Sequence, residues 1–189
     1  MRWLILYARS RSVPTTVAVI VAGTLAAWGI GRTTDDPGTR STLALLAMAA
    51  GVAATAPGLA GADIDLDRTA AFGWPPRRLA HLVLVGAVVL GVLAALFSRA
   101  WLVRDVTGMI GLVALGATTL GAARAWLPCL MWTVLSLGYA PPLGAAPDGP
   151  TYKVVLTWLV QPAGSTTATI TALLLGGTGA VTYALRGPR

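Results

Sequence analysis

The chain is poor in the residues that build most active sites. It has one cysteine, Cys129, so no internal disulfide can form. It has one histidine, His81, and one histidine with one cysteine cannot supply a usual transition-metal site. His81 stands beside Arg77 and Arg78 at the start of an apolar run and reads as an interfacial polar residue. Lysine is nearly absent too: thirteen of the fourteen basic residues are arginine, and the exception, Lys153, follows Tyr152. No G-x-x-x-x-G-K-[ST] occurs, so this chain does not cradle nucleotide phosphates by that device.

Charge of either sign is scarce. Charged residues make up 11% of the 189 positions, where a soluble domain carries about 25%. The apolar residues, 56% of the total, fall instead into long runs. Lipid demands such runs and a small soluble core does not. The net charge of +7 comes from arginines scattered between the runs. Nucleic-acid binders cluster them in stripes, so no nucleic-acid partner is expected.

A helix needs about 20 mostly apolar residues to cross the hydrocarbon. Six segments are read as spans, at 13–31, 41–60, 79–97, 106–123, 125–140 and 165–185. Pro128 falls in the first turn of the fifth, where proline is tolerated, and Ser165 can cap the sixth. With these limits no span core holds an acid or an arginine, which argues against an ion-coupled carrier. A buried Ser–His pair or paired aspartates are likewise missing, which disfavours an intramembrane protease or other membrane enzyme. The spans' polar atoms are mostly hydroxyls, among them Thr118, Thr119, Thr133 and Thr171, expected to bond their own helix backbone. Small residues four apart (Ala47 and Gly51, Ala87 and Gly91, Ala117 and Gly121) are read as tight helix packing. No internal repeat is evident, against an inverted-repeat transporter.

Arginine placement sets the orientation. With the N-terminus in the cytoplasm, nine basic residues lie inside (Arg2, Arg9, Arg11, Arg68, Arg77, Arg78, Arg124, Arg186, Arg189) and five outside (Arg32, Arg40, Arg99, Arg104, Lys153). Both termini are then cytoplasmic. The opening "MRWLILYARSRSVPTTVAVI" has no convincing small-residue cleavage site, so no cleavable signal peptide is expected. Residues 1–12 can form an interfacial helix, with Trp3 and Tyr7 one turn apart. The arginine-, alanine- and glycine-rich composition suggests a GC-rich bacterial genome, and the expected location is the bacterial inner membrane, multi-pass.

Two connections are longer than antiparallel helices require. The first, 61–78, gathers Asp63, Asp65, Asp67 and Arg68, then the aromatics Phe72 and Trp74, then Arg77 and Arg78. Its acids suit a short helix start, Gly73 stops that helix, and Pro75 and Pro76 set up the next. Ordered polar surface on this scale reads as a docking site. The second connection, 141–164, opens with a Pro/Gly loop and continues as "YKVVLTWLVQ" (152–161). As a helix that stretch is about 15 Å long, half a bilayer. Pro162 and Gly164 break it, so it is read as a re-entrant helix that protein must cover. The alternatives are a span in two pieces or an interfacial anchor on Trp158.

Taken together, "DLDRTAAFGWPPRRLAH" (65–81) and "LTWLVQPAGS" (156–165) resemble the permease subunit of a type-2 ABC exporter. The first is similar to that family's acid–Arg, small-residue, Pro–Arg pattern before the third span, with Asp67–Arg68 where Glu–Arg is more usual. The closing "YALRGPR" is similar to the ends of small actinobacterial membrane proteins. The resemblance implies an all-α integral membrane protein: an interfacial N-terminal helix, six spans, a cytoplasmic coupling helix between spans two and three, and a re-entrant outer helix between spans five and six. It implies an ATPase-coupling surface of Asp63, Asp65, Asp67, Arg68, Phe72, Trp74, Arg77 and Arg78, and an outer gate of Trp158, Gln161 and Pro162. The implied partners are two copies of a cytoplasmic ABC ATPase and a second or sister permease. This chain would bind no cofactor, with ATP and Mg on the ATPase, and would move an apolar or amphipathic cargo. The other reading is a non-transporting membrane scaffold or assembly partner.

Overall fold

The computed structural model describes residues 13–60, 74–97, 99–140 and 150–189. Among them the chain is all-helical, with no strand. Seven α-helices follow one another: α1 (Val13–Gly31), α2 (Pro37–Ala53), α3 (Trp74–Leu96), α4 (Leu102–Thr119), α5 (Leu127–Gly138), α6 (Thr151–Leu156) and α7 (Thr166–Arg186). Short 3-10 turns occupy Ala56–Leu59, Ala122–Arg124 and Trp158–Val160. Among the described residues, five segments are long and apolar enough to cross a membrane: Val13–Gly31, Pro37–Leu59, Pro75–Leu96, Leu102–Thr119 and Thr166–Arg186. The chain is therefore a multi-pass membrane protein.

The expected spans and the observed helices differ in instructive ways. The first begins and ends as expected. The second starts earlier, at Pro37, because Asp36 caps it: the carboxylate accepts from the amides of Gly38 and Thr39. Its α-helical part stops at Ala53, and Pro57, which has no N–H to give, sits in the 3-10 turn that completes the crossing. The third starts at Trp74, with Pro75 and Pro76 in its first turn, where their missing amide donors cost nothing. The fifth expected span, 125–140, contains a helix of only 12 residues, about 18 Å long, with Pro128 in its first turn as expected. The expected ten-residue helix at 152–161 is two pieces, six α-helical residues and then the 3-10 turn.

The fourth span needs a correction. Its helix begins at Leu102, not Val106, so Arg104 and Asp105 lie inside it, and Asp105 is fully buried. The expectation that started this span at Val106 and left Arg104 in the outer connection is corrected here; the ionisable pair stands in the first turn of the helix, at its end.

Helix α4 is the hub, with 72% of its span buried against 17% for α1 and for the Pro75–Leu96 span of α3. Its tightest neighbour is α7. A Cβ on Gly111 would overlap the Leu175 carbonyl and Gly176, and one on Gly179 would overlap the Gly111 backbone. The two helices therefore touch backbone to backbone, which is the source of cohesion between helices in lipid. Elsewhere α1 and α2 pack through Ile20 against Gly51, and Cys129 on α5 is buried with its sulfur 3.8 Å from the Ala49 carbonyl and from Met109. Thr118, Thr119, Thr133 and Thr171 each donate to a carbonyl three or four residues back, as their positions suggested.

Helices α1 to α5 run in alternate directions and α7 runs parallel to α4, with Thr107 against Gly176 and Gly111 against Gly179, so Val13 and Arg189 share one end of the bundle, called here the terminal end. The chain's last residues fold back there. The Arg189 amide donates to the Ala117 carbonyl, and the Ala122 amide donates to the Arg189 carbonyl. Gly121, at φ 85°, makes that reversal possible; a side chain would be strained there.

Candidate functional site

The residues of interest gather at the two ends of the bundle. At the end opposite the termini, the broken helix 151–160 lies against α4, α5 and α7. A break frees backbone carbonyls, and an apolar surrounding has no water to satisfy them. Side chains do so here. Trp132 Nε1 and Ser136 Oγ on α5 both donate to the Leu156 carbonyl, at 3.1 and 2.8 Å. Arg104 on α4 takes the rest. Its Nη2 donates to the carbonyls of Trp158 and Gln161, and its Nη1 to that of Pro162, at 2.9–3.2 Å. Ser165 then caps α7 by accepting from the Ala168 amide, as expected.

Arg104 is held in turn by its neighbour, Nε to Asp105 Oδ1 at 2.6 Å, with the two side chains 7% and 0% exposed. Asp105 lies in the first turn of α4, where the helix dipole favours a carboxylate. Trp158 is fully buried across Gly108: a Cβ on Gly108 would overlap the indole ring. Gln161 is buried and donates through Nε2 to Thr157 Oγ1 at 2.8 Å. Two buried polar atoms in this cluster, Asp105 Oδ2 and Trp158 Nε1, have no hydrogen-bond partner among the described residues. Each such orphan costs about 1–3 kcal/mol. The seat of the broken helix is thus firmly clamped yet carries unmet polar groups.

Of the expected gate residues, Trp158 and Gln161 are brought together, while Pro162 is exposed and contributes only its carbonyl. Reading the sequence missed Arg104 and Asp105. The available signal was their adjacency to an apolar run with no helix breaker between.

At the terminal end, Asp63, Asp65, Asp67, Arg68 and Phe72 lie outside the described residues, as does the interfacial helix expected at 1–12. Trp74 opens α3, Arg77 is exposed and Arg78 is half-buried. The flanks of the undescribed stretch are tied to one another and to α7. Tyr183 Oη donates to the Leu59 carbonyl at 2.6 Å, His81 Nε2 lies 3.1 Å from the Gly58 carbonyl, and Arg78 Nη1 reaches the Ala184 carbonyl at 3.4 Å. Gly187, at φ 73°, lets the tail pass the Arg78 guanidinium, which fills the space a Cβ would need.

Among the described residues, neither end holds a nucleophile paired with a base. No cluster of three or more metal-ligating side chains occurs among the described residues. A scan against protein-family models finds no match, and no curated protein or solved structure matches the chain.

Proposed function

We propose that the chain is the membrane-spanning permease subunit of an ATP-driven exporter of the type-2 ABC class, working with a separate cytoplasmic ATPase and a second permease. The terminal end of the bundle is the cytoplasmic side. Residues 61–73 there form the surface on which the ATPase acts, with Asp67 and Arg68 as its polar contacts.

One observation carries this reading: both flanks of that segment are bonded to the bundle by Tyr183–Leu59, His81–Gly58 and Arg78–Ala184. A push on a segment so anchored reaches α2, α3 and α7 together, and α7 passes it to α4 through their backbone contact. Small helix shifts of this kind are an ordinary way to transmit a conformational change. At the other end, the Arg104 clamp seats the broken helix that carries Trp158 and Gln161 against α4.

The test is purification of the tagged chain from its native membrane, wild type beside Asp67→Ala/Arg68→Ala. The expected result is an ATPase bearing a Walker-A motif on the wild type, with binding or stimulated hydrolysis lost in the double variant. Retention of the ATPase with unchanged hydrolysis in the variant overturns the coupling role. A wild type that brings down a membrane complex without an ATPase supports the scaffold instead.

A further inference from the structure

A cavity of about 410 Å³ lies at the end of the bundle opposite the termini, where α1 ends, α2 begins and α3 ends. Three arginines line it, Arg32, Arg40 and Arg99, together with the apolar side chains of Trp28, Leu96 and Phe97. The arginines are held in different degrees. Arg40 is fixed: its Nε donates to the Gly31 and Thr34 carbonyls at 3.0 and 2.9 Å, and its Nη2 to Thr34 at 2.6 Å. Arg32 stacks on Trp28, its Cζ 4.8 Å from the ring centroid. Arg99 is half-buried, and its guanidinium makes no hydrogen bond or ion pair with any described residue.

The nearby acids do not balance this charge. Asp35 is wholly exposed and stands 3.8 Å from Arg40 Nη2. The oxygens of Asp36 are taken by Gly38 and Thr39 at the cap of α2. The cavity thus joins a surplus of positive charge to an apolar lining, at the ends of membrane-crossing helices. Ile30 on α1 is exposed close by, continuing the apolar surface down the bundle.

We propose that this cavity binds the phosphate group of an anionic phospholipid. Guanidinium forks match phosphate oxygens in geometry. Basic pockets between membrane helices take lipid headgroups in this way. The lipid, rather than free phosphate, is the occupant because arginines and the apolar side chains Trp28, Leu96 and Phe97 line one cavity at the ends of membrane-crossing helices, matching a headgroup joined to acyl chains. Arg40 and Arg32 form the preset part of the site, and Arg99 closes on the ligand.

The proposal is independent of any ATPase and is tested on the full chain purified in neutral detergent. The probes are phosphatidylglycerol, phosphatidylcholine and inorganic phosphate, with binding read by thermal stabilisation and by native mass spectrometry. Phosphatidylglycerol is expected to bind saturably and phosphatidylcholine not to. Arg99→Gln and Arg32→Gln are each expected to weaken that binding at least about fivefold, with Arg99→Lys between Arg99→Gln and wild type. Arg124→Gln, at an exposed arginine on the opposite end, is expected to leave it unchanged. Neither the Arg32 nor the Arg99 side chain hydrogen-bonds another described element, so both variants should keep the wild-type elution profile. Equal binding of phosphatidylglycerol by wild type and Arg32→Gln/Arg99→Gln overturns the site. Equal binding of both lipids overturns the phosphate chemistry, and saturation by inorganic phosphate alone overturns the lipid as occupant.

Discussion

Arg104 and Asp105 are the residues on which the far end of the bundle turns. A guanidinium that serves three carbonyls and one carboxylate cannot be removed without leaving Asp105 buried and alone. Breaking a buried pair in this way costs about 3–5 kcal/mol. Arg104→Ala should therefore lower stability by that order, measured by denaturation in mixed micelles. Arg104→Ala/Asp105→Ala should lose less than the single variant, because the lone charge is gone. A double variant as unstable as the sum of both singles would show that the two side chains do not act as a pair. Asp36 acts differently, since it lies outside the span it caps. Hydrogen bonds from the Thr39 hydroxyl, the Thr39 amide and the Gly38 amide hold its carboxyl below the ordinary 3.8. A group whose folded value is depressed stabilises above its unfolded value and loses that stabilisation as pH falls through the folded one. Asp36→Ala should thus be less stable than wild type at neutral pH, and thermal melts should converge as the pH drops below about 4.

At the scale of elements, the crossing of α4 and α7 decides how the bundle closes. Gly111 and Gly179 meet with no space for a methyl group, and the obstacle is backbone, which cannot rotate away. Gly111→Ala or Gly179→Ala should cost about 1–3 kcal/mol by overpacking, whereas Gly177→Ala, open on its side, should be tolerated. Melting temperatures of the three variants decide this; equal values would mean the helices do not cross there. This crossing also marks how far the sequence could be read. Long apolar runs located the five spanning helices, and the capping Ser165 and the prolines at 75, 76 and 128 were legible as local chemistry. The glycines that matter were not, because they are spaced three apart on each helix (Gly108 and Gly111, Gly176 and Gly179), and their meaning depends on what lies opposite. The pairs four apart were a mixed guide: Ala47 and Gly51 are buried, with Gly51 against Ile20, whereas Ala87 and Gly91 face outward on α3. Arg104 and Asp105 escaped for a related reason. Charge usually marks the end of a span, and here the pair stands within the helix's first turn rather than before it.

Across the whole molecule, the two polar ends are joined by α4 and α7, the helices in closest contact. The terminal end is bound to α7 by Tyr183, whose buried hydroxyl meets Leu59, the last residue of the turn leading into the segment 61–73. The other end is bound to α4 by Arg104. If the proposed permease works by passing a push along this line, weakening the first link should uncouple the motor without dislodging it. Tyr183→Phe keeps the ring and its packing and removes only the donor, leaving the Leu59 carbonyl short of one partner, at about 1–3 kcal/mol. The protein should still fold and still retain its ATPase, since no residue of the docking surface is altered. ATP hydrolysis should continue, while export per ATP hydrolysed falls. Transport and hydrolysis measured together in proteoliposomes read this ratio directly. An unchanged ratio in Tyr183→Phe would mean that force reaches the spans by another route, and the link between Leu59 and α7 would then be only structural.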